Sequence, residues 1–116
     1  MLFMLIVKAS KNTEAGHLPS LELRKAMDQF NDELAQAGVR IMAKGLHPSS
    51  SGMRITYEKQ GEKPVVTEGP FLETNELIAG FILIDVGSRE EAIEWAMRMP
   101  DPQGQGEGQI ELRQVF

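Results

Sequence analysis

The stretch IAGFILIDV, Ile78 to Val86, is apolar at odd and even positions alike. A short run of this kind marks a strand with both faces buried, because a half-buried strand would alternate apolar with polar residues. LFMLIV, Leu2 to Val7, has the same character. It is short, it has no basic segment ahead of it, and Lys8 follows it. These features favour a buried strand over a secretory signal or a membrane helix, so a cytoplasmic protein is expected.

Working outward from these two runs gives the remaining elements. Ser88 reads as a helix N-cap, with Glu91 completing a capping box. Ala92, Trp95, Ala96 and Met99 form a helical stripe that Ile93 and Met97 widen, and Pro100 stops the helix. After a Gly-rich loop from Asp101 to Gly108, Ile110 to Phe116 reads as a closing strand. Toward the N-terminus, Lys11 to Pro19 is polar and turn-rich. Ser20 then caps a helix whose stripe is Leu23, Ala26, Met27, Phe30, Leu34 and Ala37, closed by Gly38. Val39, Ile41 and Ala43 alternate with polar neighbours as a strand. Met53 to Glu58 and Pro64 to Thr67, joined through Gln60-Gly61, read as a β-hairpin.

The order is strand, helix, strand, hairpin, strand, helix, strand. Over residues 1–116 it predicts one α+β domain, a ferredoxin-like βαβ-βαβ sandwich with an inserted β-hairpin and the two most apolar strands at its centre. Two helices cover only one face of such a sheet. The other face is apolar too, and large apolar patches are rare on soluble monomers. The expected cover is a second copy, giving a homodimer through the open sheet face with a cavity between or beside the sheets.

Composition narrows the partners. A chain of 116 residues supports a single core, and 41% hydrophobic with 25% charged residues is a globular balance. Twelve Lys and Arg against 17 Asp and Glu leave a net charge of −5, which disfavours nucleic acid and anionic membranes as partners. With no Cys, disulfides, thiolate nucleophiles and Cys-based metal sites are all excluded. Two His in separate loops are poor evidence for a metal site, although Asp and Glu could add ligands, and Gly104, Gly106 and Gly108 lack the Lys-Ser/Thr of a P-loop. No metal and no cofactor is therefore expected, and the glycines give the loop freedom, as in a lid.

The candidate chemistry lies in two loops. Glu68-Gly69-Pro70-Phe71 reads as a tight turn, in which Gly69 permits unusual backbone angles. It also reads as one wall of a site, where Glu68, Glu73 and Glu76 crowd a cavity mouth and supply a general acid or base. His47, followed by Pro48 and three serines, is suited to proton transfer near neutral pH, or is simply a loop His bonded to a carbonyl. Ser49 has no G-x-S-x-G turn to make it a nucleophile. Arg54 offers a cation for a carboxylate ligand.

Several segments together resemble the YCII-related family, in its DGPF-domain branch. They are Gly45-Leu46-His47-Pro48-Ser49-Ser50, Glu68 to Glu76, Gly80-Phe81, Glu91 to Trp95 and Glu111 to Phe116, in the family's order along nearly the whole chain. The resemblance implies a dimeric α/β barrel of ferredoxin-like protomers. It implies no single activity: relatives in the wider group act on small ring-derived metabolites with a His and an Asp. Many branch members are encoded near extracytoplasmic-function sigma factors, a bacterial stress or regulatory setting. Two positions depart from the pattern, Glu68 standing for the family's Asp and Asn75 for its Lys. Two functional readings follow. One is a cofactor-free enzyme with His47 as acid/base beside Glu68, and with Ser49, Arg54, Phe71, Glu73 and Glu76 toward the substrate. The other is a ligand-binding or regulatory dimer without chemistry.

Overall fold

Alternation along each strand decides which side chains are buried. The structure, a computed structural model, describes residues 1–116 apart from the side chain of Asn75. Strands β1 (Leu2–Lys8) and β5 (Ile78–Asp85) pair antiparallel at the centre of a four-stranded sheet. The edges are β2 (Arg40–Gly45) beside β5 and β6 (Ile110–Gln114) beside β1, also antiparallel. This α+β arrangement is compatible with a ferredoxin-like sandwich. In the central register Phe3 faces Ile84 and Leu5 faces Ile82. All four are buried, under Phe30 and Leu34 of α2 (Leu21–Gln36) and Ala92 of α3 (Arg89–Arg98). The Phe30 and Trp95 rings meet edge-on at 6.3 Å. The alternate residues Met4, Ile6, Phe81 and Leu83 point to the other face and are only half-buried.

The helices begin and end where their caps dictate. Ser20 Oγ accepts the Leu23 N–H at 3.1 Å, and Gly38, at φ 73°, takes the left-handed position that follows α2. Ser88 Oγ accepts the Glu91 N–H at 3.1 Å, but the expected capping box does not close. The Glu91 carboxylate instead accepts the N–H of Gly87 at 2.9 Å, one residue before the cap. On α3, Ile93 is half-buried whereas Met97 stays exposed, so the stripe is narrower than its spacing predicts.

Three further differences from the sequence reading have local causes. The turn-rich segment contains a one-turn helix, α1 (Lys11–Glu14), held by reciprocal bonds between Ser10 and Thr13. In β2 the register slips between Arg40 and Met42, so Ile41 is the extra residue of a bulge and is turned out to 51% exposure. The loop after α3 begins with a bonded turn that its glycines do not announce. The Asp101 carboxylate accepts the N–H groups of Gln103 at 2.9 Å and Gly104 at 3.1 Å, and the first of these bonds leads in holding its carboxyl below the usual range.

The hairpin forms as expected, β3 (Met53–Thr56) against β4 (Val65–Glu68), but as a separate two-stranded sheet. Met53, Ile55, Val65 and Val66 are exposed on it. The chain measures 48 × 34 × 19 Å with a radius of gyration of 16.1 Å. A compact domain of this length has a radius of about 13 Å, so the chain is extended beyond a closed globule. Among the described residues no helix is long and apolar enough to cross a membrane.

Candidate functional site

The loops that carry the candidate residues meet at Ser49. Its N–H donates to Glu14 Oε2 at 2.9 Å and its hydroxyl donates to Glu14 Oε1. The same hydroxyl oxygen accepts the Phe71 N–H at 3.0 Å. Alongside, the Gly69 N–H donates to the Gly52 carbonyl at 3.0 Å. Three segments distant in sequence are thus fastened to one another: α1, the loop 46–52, and the Gly69-Pro70-Phe71 turn. The bonds to Glu14 are charge-assisted and therefore stronger than neutral ones.

Gly69 is required for a reason other than the one its sequence context suggests. Its φ is not positive. A Cβ built there would lie 1.8 Å from the Ser49 carbonyl oxygen, so only glycine lets the two backbones approach this closely. Glu14, which anchors the junction, was missed by the sequence reading. A signal existed in Ser10-Lys11-Asn12-Thr13, a capping box with Thr in place of the usual Glu or Gln. Nothing local, however, says that a carboxylate at the end of that turn pairs 35 residues away.

Of the predicted site residues, Ser49, Phe71 and Arg54 are brought together. The Arg54 guanidinium lies 3.9 Å from the centroid of the half-buried Phe71 ring, a cation–π stack. Among the described residues Arg54 makes no ion pair. His47 is exposed in the Ser49 loop, and no side chain among the described residues bonds to its ring. Glu68, opposite Met53 at the end of β4, is exposed, as are Glu73 and Glu76 around the turn Thr74–Glu76. The family's Lys position, Asn75, has its side chain outside the described residues.

The bond pattern separates scaffold from reactive groups. The Ser49 hydroxyl has its proton engaged by Glu14 and one lone pair by Phe71, so its first task is to hold the loops. Arg54 keeps its donor edge available, on an aromatic platform, for a planar anion such as a carboxylate. No group of three or more His, Cys, Asp or Glu among the described residues is placed to hold a metal ion.

Compared with known proteins, the chain matches the family model described as the YCII-related domain over residues 1–116. No curated protein matches it.

Proposed function

The chain belongs to the YCII-related domain family, and we propose that it acts as a homodimer that binds a small anionic metabolite. Two copies pair across the open sheet face into a dimeric α/β barrel, and the loops fastened at Ser49 wall the cavity. The observation that carries the binding reading is Arg54, stacked on Phe71 and without a carboxylate partner among the described residues. The half-exposed Met4, Ile6, Phe81 and Leu83, together with the uncovered apolar hairpin, support the pairing. The DGPF branch is the placement within the family that agrees with the Gly69-Pro70-Phe71 turn and its contact with Ser49.

A second reading, acid/base catalysis without a cofactor, draws on one specific observation. His47 and Glu68 lie on the two segments that the Ser49–Phe71 and Gly69–Gly52 bonds hold together. In that reading His47 transfers the proton, Glu68 orients it, and Glu73 and Glu76 line the rim. Binding without chemistry is preferred because no carboxylate among the described residues is bonded to His47.

Native mass spectrometry of the purified protein tests both readings. The expected result is a dimer with a small anionic adduct that leaves on denaturation, and loss of that adduct in Arg54→Gln. A dimer that holds the same adduct in Arg54→Gln would contradict the binding site. Turnover of the released molecule by the wild type but not by His47→Ala would establish the catalytic reading instead.

A further inference from the structure

The two edges of the four-stranded sheet are not alike. β2 is interrupted by the Ile41 bulge, a device that blunts an edge, whereas β6 runs beside β1 without a shift in register. The Val115 N–H donates to the Leu2 carbonyl, and the Gln109 carbonyl accepts the Lys8 N–H. Alternation therefore turns the backbone groups of Ile110, Leu112 and Gln114 outward, away from β1. Their side chains line a groove of about 420 Å³ between β6 and α3, with Ile93 and the exposed Met97 across it. Arg89 is the one charged residue at the groove, and among the described residues it pairs with no carboxylate.

The β3–β4 hairpin presents a matching half. A two-stranded hairpin is marginal in water unless something packs on it. By register Met53, Ile55, Val66 and Glu68 share one face, and its three apolar residues are between 50 and 56% exposed. Arg54, stacked on Phe71, lies on the other face. The bond from the Gly69 N–H to the Gly52 carbonyl fixes the phase of the ladder, so the backbone groups of Met53 and Ile55 point outward from β3. On each edge, then, the residues with outward backbone groups are also those whose side chains form the groove or the apolar face. An antiparallel pairing requires that coincidence, and a slip of one residue on either strand would destroy it. The charges match as well, Glu68 on the hairpin face against Arg89 at the groove. The chain's own hairpin does not supply the cover. It leaves the sheet between β2 and β5, at the edge opposite β6, and the Ser49 junction fastens its base there.

We infer that β3 of a second copy adds antiparallel to β6, with Met53 opposite Gln114 and Ile55 opposite Leu112. The apolar hairpin face then closes the groove, and Glu68 stands at its Arg89 end. Main-chain bonds supply the attachment and the alternate side chains fix the register. The inference rests on the proposed pairing of two copies and adds that each hairpin is an arm held on the other copy's edge.

The test is amide hydrogen exchange on the ¹⁵N-labelled full chain, with sedimentation equilibrium on the same samples. Met97→Glu puts a charge into the groove at an exposed position, where the fold of the chain does not depend on it. The expected result is that the Met53, Ile55, Leu112 and Gln114 amides of the wild-type dimer exchange about tenfold or more slowly than in Met97→Glu. Glu68→Lys should speed their exchange, and Glu68→Lys combined with Arg89→Glu should slow it again. A wild-type dimer whose four amides exchange no more slowly than those of Met97→Glu would overturn the inference and leave the pairing standing. A double variant no better protected than Glu68→Lys alone would overturn the placement of the arm. A wild-type monomer would overturn the pairing, and this inference with it.

Discussion

The two faces of the central sheet are built from the same strands and the same kinds of residue, yet they fare differently. Toward the helices, Phe3, Leu5, Ile82 and Ile84 are between 0 and 3% exposed. On the reverse, their neighbours Met4, Ile6, Phe81 and Leu83 remain half-exposed. The difference lies in what covers each side, since among the described residues there are only two long helices and both serve one face. The proposed pairing of two copies rests on this apolar character in excess of what the chain covers itself. The uncovered face also has a polar margin: by register with Met4 and Ile6, Arg113 and Glu111 of β6 sit on it, paired at 2.9 Å.

The contrast between the faces can be broken or sharpened by substitution. Leu5→Ala, on the helix-covered face, should have the largest effect, lowering protomer stability by about 2–5 kcal/mol in a denaturant titration. A loss below about 1 kcal/mol would mean that this face is no better packed than the other. Ser49→Ala, at the loop junction off both faces, removes the hydroxyl's two bonds and should cost about 1–2 kcal/mol in the same measurement. Phe81→Glu, on the open face, should leave the far-UV spectrum and the Trp95 fluorescence of the protomer unchanged, and act on association instead.

The smallest effect is that of pH. The Asp101 carboxyl is held low chiefly by the Gln103 N–H, and that of Glu111 chiefly by its bond from Arg113. A lowered folded-state pKa means that the unfolded chain binds protons first as pH falls. The stabilisation is therefore complete above the ordinary carboxylate range and is lost as pH drops through it toward the folded value. Glu111 is solvent-exposed and Asp101 only half-buried, so a shallow decline in melting temperature below about pH 4 is expected. Asp101→Asn and Glu111→Gln should each flatten it; a decline unchanged in both would assign it to other groups.

What was legible in the sequence followed from periodicity. The apolar runs at 2–7 and 78–86 located the sheet's centre, and Ser20, Gly38 and Ser88 marked helix ends, because those signals are local. The bulge at Ile41 was not legible, since one extra residue leaves the apparent alternation Val39, Ile41, Ala43 intact. Gly69 was recognised as a turn residue but for the wrong reason, because its constraint comes from the Ser49 backbone across the junction. Glu14 was overlooked because its partner is remote in the chain.

The claim that the open face is a surface between copies is tested most directly by sedimentation equilibrium of the wild-type protein and Phe81→Glu at micromolar concentration. The expected result is a dimer of two 12.9 kDa chains for the wild type and a folded monomer for the variant. A wild-type monomer, or a variant that still dimerises, would contradict it.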